Sequence, residues 1–451
     1  MNIKILLDSV VGSGDMTEKQ RNELLFEMTE EVAGHVLRNN YLQTQAISEA
    51  VSQASSMADV HARYIRALEQ AGKLDRNLEF LPSEEELADR KSQGMGLTAP
   101  EFAVLLAYTK NTLHNELLNS DLPEDPYLSK ELELYFPKPL RERLGDRMEE
   151  HRLRQQITAT QLANGMVNRC GITFAYRMRD ETGAAAPEIA RAYTVARDVF
   201  GMLDLWKEIE ALDNVVDAGV QIRMLLDARR LVERATRWLL RNRRPPLDIA
   251  ATTSYFSQGA KELVERIPEL MLDSDRETLM RATKKLVEEN VPPDLAKRVA
   301  TLNSTFSALD VVDVASATDK PLEAAAAVYF TLGDRLKLHW LRQHIEALPR
   351  DNRWRTLARA ALRDDLYNQQ ATLTREILKS VPEGLPASDR IDAWIEANRG
   401  AAERTMQVLR DINSSGTFDL STLPVALREI RNLITSSEGV SEASEVEVPA
   451  R

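Results

Sequence analysis

The sequence has 451 residues, of which 43% are hydrophobic and 28% are charged, as in ordinary globular proteins rather than disordered or membrane ones. The formal net charge of −12 argues against nucleic acid as a partner, because phosphate binding depends on an excess of cationic side chains. No stretch approaches the roughly 20 consecutive apolar residues of a membrane span, and the N-terminus lacks the order of a signal peptide. We therefore expect a cytoplasmic protein with no membrane partner.

Apolar residues recur at intervals of three and four along most of the chain, which predicts an all-α, multi-helix array with little or no β-sheet. Thr17 and Gln20 form the capping pattern that opens the first long periodic stretch. The apolar positions of that stretch are Leu24, Leu25, Met28, Val32, Val36 and Leu37. A second helix is predicted over 44–71, ending at Gly72. Only residues 2–11 carry a pattern that also fits a strand.

Two further capping patterns mark helix starts, Ser83 with Glu86 and Thr98 with Glu101. The helix after Thr98 has an inner face of Phe102, Leu105, Leu106, Thr109, Leu113 and Leu117. Four prolines make 122–139 a predicted connector. Helical periodicity returns over 148–244 and again over 249–271, 274–290, 292–302, 321–347, 352–378, 388–411 and 423–435.

The chain length favours two or three helical subdomains. We predict an N-terminal helical segment over 1–96, a central subdomain over 97–246 and a C-terminal subdomain over 247–435. The second boundary follows Arg243-Arg244-Pro245-Pro246, the clearest punctuation in the chain. Residues 436–451 have no aromatic residue and no periodicity, and are predicted to be a disordered, flexible tail.

The motifs that usually carry chemistry fail on inspection. Gly12-Ser13-Gly14 suggests a dinucleotide-binding turn, but Thr17 occupies the third glycine position and no second strand with an acidic end follows, so a simple turn is favoured. The six histidines include no i, i+4 pair that would place two metal ligands on one helix face. Cys170 has no neighbouring His or Cys and is interpreted as a buried, inert thiol. The residues themselves therefore suggest no catalytic, cofactor-binding or metal site.

The predicted helix over 221–241 is apolar on most sides, with a narrow basic stripe of Arg223, Arg230, Arg234, Arg237 and Arg241. One interpretation is a stripe that docks an anion or a subunit. The other is internal pairing with the acidic residues Glu208, Glu210, Asp213 and Asp217, or plain solvation. Arg229 and Glu233 lie within the apolar arc at i, i+4, where they would have to pair as a structural ion pair that specifies the fold.

Several long phrases, in order, resemble the large bacterial NAD-specific glutamate dehydrogenases. They are NIKILLD at 2–8, GSGDMT at 12–17, GLTAPEFAVLLAYTK at 96–110, ITATQLAN at 157–164, VNRCGITF at 167–174 and DVFGMLDLW at 198–206. The resemblance covers most of the chain and is strongest up to about residue 248. It identifies the sequence as the C-terminal domain of that family, and Met1 standing directly before the first phrase suggests an excised fragment.

The resemblance implies a parent enzyme that converts L-glutamate, NAD and water to 2-oxoglutarate, ammonia and NADH as a homo-oligomer. It also implies that the catalytic and NAD-binding residues lie upstream, so this segment would hold no cofactor. Its partners would be its own upstream catalytic domain and sister subunits, with a structural, assembly or regulatory role. Two alternatives stay open: a helical scaffold that docks another protein, and a free-standing enzyme with a site built from scattered residues such as Arg169, Arg177, Asp180 and Glu181.

Overall fold

The computed structural model describes residues 1–270, 273–350, 352–382 and 384–446, with backbone alone for 273, 274 and 438–446. These residues form α-helices joined by turns, and no strand occurs among them. The predicted all-α class is confirmed. Contacts divide the chain into unit 1, Met1–Arg197 with Ala235–Thr252, and unit 2, Asp198–Arg234 with Thr253–Arg451. Both units combine separate stretches of the chain. The three consecutive segments expected from the sequence stay a prediction.

Unit 1 holds the first ten helices and most of the eleventh. They are α1 (Asn2–Gly12), α2 (Glu18–Glu27), α3 (Thr29–Ser52), α4 (Ala58–Gln70), α5 (Glu84–Ser92), α6 (Ala99–Leu118), α7 (Ser129–Tyr135), α8 (Lys138–Met148), α9 (Arg154–Cys170), α10 (Phe174–Thr182) and α11 (Ala186–Val199). Within the predicted connector, two short 3-10 turns, Leu122–Glu124 and Pro126–Leu128, precede α7.

Unit 2 holds most of the remaining helices. They are α12 (Met202–Glu210), α13 (Ala218–Asn242), α14 (Ile249–Leu270), α15 (Asp273–Glu288), α16 (Pro293–Thr305), α17 (Ala308–Thr318), α18 (Leu322–Arg335), α19 (Leu338–Ala347), α20 (Arg353–Ser380), α21 (Ala387–Ala397), α22 (Arg399–Ser415) and α23 (Leu423–Val446). The last turns of α13 and the first residues of α14 belong to unit 1.

Two sequence predictions reach beyond the described residues. The helix predicted over 249–271 corresponds to α14, and Met271 lies outside the described part of the chain. The predicted tail, 436–451, begins inside α23, which extends to Val446. Residues 447–451 of that tail lie outside the described residues.

Local sequence signals place many helix ends correctly. Thr17 Oγ1 accepts from the Gln20 backbone N–H at 3.3 Å, and Gln20 Oε1 accepts from the Thr17 N–H at 2.9 Å. Ser83 and Glu86 make the same reciprocal pair, at 3.1 and 2.7 Å. The capping boxes predicted at Thr17, Ser83 and Thr98 are confirmed, because each satisfies backbone donors that the first helical turn leaves unpaired.

The strand-like pattern at the N-terminus proves misleading, because residues 2–12 form helix α1. Leu6, Leu7 and Val10 are buried at helical spacing. Leu6 and Leu7 join the core that also contains Leu24 and Met28 of the α2 end. Burial on one helical face therefore overrides the intrinsic preference of β-branched residues for strands.

Four helices predicted as continuous are interrupted. The first bends at Met28, and the stretch 44–71 is divided by a turn between α3 and α4. The stretch 321–347 breaks at Lys337, whose φ of 54° is left-handed and cannot continue a right-handed helix. The stretch 388–411 breaks at Asn398. None of these residues is a glycine or proline, so the sequence contains no helix-breaking residue at these positions that would predict the breaks.

The cores follow from these helix faces. In unit 1, α6 packs against α9, and α3 packs against both; the predicted inner face of α6 is buried as expected. A second part of this core joins α1, α2, α7 and α8 around Phe136 and Leu140. In unit 2, α17, α18 and α20 pack together, and α23 packs on α20 and α22.

Candidate functional site: the arginine helix and the buried charges

The basic stripe on α13 is bound largely to acidic residues of the same chain. Arg223 donates to both carboxylate oxygens of Glu289 at 2.7 Å, and its side chain is half exposed. Arg230 pairs with Asp227, three residues earlier on the helix. The side chains of Arg223 and Arg230 are about half exposed, and both residues lie in unit 2.

The next two arginines of the stripe are buried. Arg234, 10% exposed, pairs with Glu346 of α19. Arg237, 6% exposed, donates through Nε to Glu181 at the end of α10, at 2.5 Å, and Glu181 is itself 7% exposed. Arg241 lies on the exposed last turn of α13. Because two of its five members are held inside their units, the stripe is not a continuous exposed surface.

The acidic partners are not the predicted ones. Arg223, Arg230 and Arg234 pair with Glu289, Asp227 and Glu346 instead of the acidic segment 208–217. In that segment Glu208 pairs with Arg298, and Asp217 accepts the backbone N–H of Gly219. The predicted acceptors are wrong for these arginines because proximity in sequence says little about which helices pack side by side.

Arg229 and Glu233 form an ion pair on one face of α13. The distance from Arg229 Nε to Glu233 Oε1 is 2.8 Å, and the two side chains are 8% and 14% exposed. A charge pair this deep is strongly destabilised when one partner is lost, because the other charge stays buried without compensation. Its role in specifying the fold stays a prediction.

The four residues of the hypothetical scattered active site each have a structural partner in unit 1. The Arg169 guanidinium lies 3.4 Å from Gln45 Oε1, and Arg177 donates to Thr173 Oγ1 at 3.3 Å. Asp180 lies 3.5 Å from Arg63, and Glu181 holds Arg237 as described above. These contacts hold α9 and α10 against neighbouring segments of unit 1, which is a structural role.

The most elaborate buried charge centre of unit 1 was not identified from the sequence. Arg191 of α11, with its side chain 7% exposed, lies 2.8 Å from Asp125, 3.1 Å from Asp121 and 3.8 Å from Glu188. Nearby on the same helix, Arg197 pairs with Glu131 at 2.7 Å. Except for Glu188, these acids lie some 65 residues away along the chain, so no local spacing could have revealed them.

Burial changes the acid–base behaviour of Lys110. It lies on α6, half-buried, and desolvation lowers its pKa from 10.5 to about 8. Tyr64 is buried and donates to Thr109 Oγ1 at 2.9 Å on the same helix, and burial raises the pKa of Tyr64 to about 12. Shifts like these occur at functional sites and in well-packed interiors alike.

Unit 2 contains a small polar cavity of about 30 Å³ between α16, α18, α19 and α20. The Arg342 guanidinium lies over the Tyr367 ring at 4.9 Å and 3.4 Å from Gln370 Oε1. Gln370 in turn donates to the Tyr329 carbonyl at 2.9 Å. Burial, together with Asp310, raises the pKa of Tyr329 well above its usual value. A polar space of this size suits a bound water molecule.

The glycine motif near the N-terminus does not fit a nicotinamide dinucleotide. A dinucleotide cradle needs a strand that leads into the glycine turn and a helix that begins beneath the pyrophosphate. Here Gly12 ends helix α1, and Gly14, with φ of 82°, completes a turn before α2. The turn interpretation of this motif is confirmed.

Two other kinds of site have no candidate among the described residues. Among the described residues, no three His, Cys, Asp or Glu side chains are grouped so that they could hold a metal ion. No helix in the described part of the chain is both long and apolar enough to cross a membrane. Cys170 is fully buried, as predicted.

Comparison with known proteins gives a consistent result along the chain. Residues 94–432 match the family model "Glutamate dehydrogenase, C-terminal", and residues 1–50 match "Bacterial NAD-glutamate dehydrogenase, catalytic domain". The chain is 40% identical over 437 residues to the NAD-specific glutamate dehydrogenase of Halomonas elongata and 41% identical over 438 residues to that of Pseudomonas aeruginosa. The Mycobacterium tuberculosis protein of the same name is 37% identical over 442 residues.

These alignments cover 97–98% of this chain but only 27% of each relative. The match to the C-terminal model spans most of the chain and includes the arginine helix and the buried charge centres. The chain therefore belongs to the bacterial NAD-specific glutamate dehydrogenase family and represents its C-terminal part.

Proposed function

We propose that this chain is a non-catalytic helical part of an NAD-specific glutamate dehydrogenase, with a structural, assembly or regulatory role. The observation that carries the proposal is the match of residues 94–432 to the C-terminal model, together with relatives about 40% identical across nearly the whole chain. In this proposal the parent enzyme converts L-glutamate, NAD and water to 2-oxoglutarate, ammonia and NADH in the cytoplasm.

The buried charges support a structural role. Arg191, Arg197 and Arg237 each bind carboxylates on other helices of unit 1, and the three arginines are about 5–7% exposed. Such pairs fix which helices face each other, because any other arrangement leaves a charge buried and unpaired. A rigid helical body of this kind is suited to hold a catalytic domain and sister subunits in a homo-oligomer.

The first experiment assays the purified 451-residue chain for NADH formation from L-glutamate and NAD. We expect no turnover, because the glycine motif does not fit the cofactor and three arginines of the α13 stripe are already paired with carboxylates of the same chain. The intact P. aeruginosa enzyme, assayed in parallel, is the positive control. Robust turnover by the chain alone would refute the non-catalytic assignment and favour the free-standing enzyme.

The second experiment replaces the corresponding 27% of the P. aeruginosa enzyme with this chain. We expect the chimera to reduce NAD with glutamate and to keep the oligomeric size of the intact enzyme. The control is the same enzyme truncated at the junction, which should lose activity, assembly or response to effectors. A truncated enzyme that equals the intact one in all three properties would refute a supporting role.

The alternative of an independent docking scaffold is favoured by one feature, the exposed Arg223 and Arg230 of α13. Both are already paired with acids, so a partner would have to compete for them. Replacing both with Gln in the chimera separates the two functions. If they belong to an external docking surface, glutamate-dependent activity and oligomeric size should not change.

A further inference from the structure

Helix α3 is long but poorly covered. It has 24 residues, and its buried residues are Ala46, Glu49 and Ala50, all near its C-terminal end. No residue from Thr29 to Gln45 is buried. Helices in globular proteins owe most of their stability to a face packed against a neighbour, so more than four turns of α3 lack a complete packing partner in this chain.

The uncovered part of α3 presents an uncharged face. Ala33, Val36, Leu37 and Asn40 are all exposed, and at about 100° per residue they fall within an arc of roughly 100°. We call these four residues the outer face of α3. Val36 is 54% exposed and Leu37 is 69% exposed. The charged residues of this stretch, Glu30, Glu31 and Arg38, fall outside that arc.

A groove runs alongside the same helix. It has a volume of about 400 Å³ and lies between α3 and the end of α7. Its apolar lining includes Val32, Val36, Leu134, Tyr135 and Pro137, and its polar lining on α3 is His35, Arg38 and Asn39. Leu134 is 55% exposed. The groove therefore adds apolar surface to the outer face of α3, and exposed apolar surface of this kind marks an interaction site.

The comparisons indicate what covers this surface. Residues 1–50, which include the outer face of α3, match the catalytic-domain model of the family, whereas the α7 side of the groove lies within the C-terminal match. Only residues 1–50 match the catalytic-domain model, and the chain spans 27% of its relatives' length. A helix assigned to a domain packs its apolar face against the rest of that domain.

We propose that the outer face of α3 and the adjoining groove form the surface on which the catalytic domain of the glutamate dehydrogenase docks. This inference rests on the proposed function and specifies the partner surface. Val36 and Leu37 then face a core between domains, as their spacing in the sequence predicts for core residues. Leu24 and Met28, earlier in the same apolar pattern, join the core of unit 1.

The protein offers a closely matched control position. Leu78 is 70% exposed, against 69% for Leu37, and it lies in the turn between α4 and α5 in a stretch that neither family model matches. The natural thiol, Cys170, is fully buried. Leu37→Cys and Leu78→Cys therefore each place an accessible thiol at equal exposure, one inside the proposed interface and one outside it.

The test measures maleimide labelling of both variants, in the isolated chain and in the P. aeruginosa chimera, with the labelled peptides quantified by mass spectrometry. We expect Leu37→Cys to react at least about tenfold more slowly in the chimera, since a tenfold change corresponds to only about 1.4 kcal/mol of interface opening. Leu78→Cys should react equally fast in both. Equal labelling of Leu37→Cys in both proteins would overturn the proposal.

A second pair of variants tests the energetic role of the surface. Leu37→Glu and Leu78→Glu should leave the melting temperature of the isolated chain nearly unchanged, because exposed substitutions typically alter stability by less than about 0.5 kcal/mol. In the chimera, only Leu37→Glu should weaken interdomain protection and glutamate-dependent activity. Equal behaviour of the two Glu variants in the chimera would overturn the proposal.

Three outcomes separate this inference from others. If the isolated chain forms dimers that Leu37→Glu abolishes, the surface binds a second copy and the catalytic-domain assignment is wrong. If the chimera lacks activity but Leu37→Cys is protected from labelling in it, the proposed function fails while the docking surface stands. If the chimera is active but Leu37→Cys is not protected in it, the docking surface fails while the proposed function stands.

Discussion

Replacing Arg191 tests whether the buried charge centre of unit 1 holds its helices together. Arg191→Met keeps most of the side-chain volume but removes the charge. Asp125, 17% exposed and 2.8 Å away, then loses its guanidinium partner, whereas Asp121, 78% exposed, is solvated by water. Breaking a buried pair costs about 3–5 kcal/mol. Asp125 still accepts a hydrogen bond from the Tyr127 backbone N–H at 3.0 Å and keeps some contact with water. We therefore expect Arg191→Met to lower the free energy of unfolding by about 2–4 kcal/mol.

The assay is thermal unfolding followed by circular dichroism, with hydrogen exchange to show that the loss lies in α11 and its neighbours. For a unit of this size, a loss of 3 kcal/mol lowers the melting temperature by roughly 6–12 °C. Arg143→Met is the control, because Arg143 pairs with Glu27 at 2.9 Å in the same unit but both are about half exposed; it should cost less than about 1 kcal/mol. The double variant Arg191→Met with Asp125→Asn should regain much of the stability, since no charge is then left buried. Equal effects of the two Arg→Met variants, or no recovery in the double variant, would refute the reasoning.

Two further predictions concern stability. Gly96→Ala should lower the unfolding free energy by about 1–3 kcal/mol, because the new Cβ would lie 2.3 Å from the Ala54 carbonyl oxygen. Gly34→Ala, inside α3 with open space around it, should raise the unfolding free energy by up to about 1 kcal/mol. Chemical denaturation measures both changes, and a stabilised Gly96→Ala would contradict the geometry. Lys110→Met should stabilise the protein by about 1–3 kcal/mol at pH 7, where the half-buried lysine is charged at a cost. The pKa of Lys110 is lower in the folded state than in the unfolded one, so the stability of the unaltered protein should rise between pH 8 and 10.5. The extra stability of Lys110→Met should therefore shrink over that interval. If the extra stability is the same at pH 7 and pH 10.5, desolvation is not its cause.

Features that depend on neighbouring residues were readable from the sequence. The capping boxes at Thr17, Ser83 and Thr98 and the buried face of α6 are set within one or two helical turns. The family could also be identified from long phrases that keep their order along the chain, and the comparisons confirm it.

Other features depended on which helices meet. Val36 and Leu37 have the spacing of core residues, yet they are exposed, because their spacing shows that they share a face and not what that face contacts. The acids that bind Arg191, Arg234 and Arg237 could not be predicted from the sequence either, because those charges come together only when distant helices pack.

Local patterns in the sequence were enough to assign the helical class, several helix starts and the family, since hydrogen-bonded turns and periodic burial are local properties that a short window of residues can express. The tertiary structure decided that residues 2–12 are helical, where long helices break, and how each buried arginine is neutralised. Those outcomes depend on the free energy of packing between segments far apart in the chain, which exceeds local preferences of about 1 kcal/mol per residue. For that reason, the partner of a buried charge and the occupant of an exposed apolar face are properties of the assembled molecule.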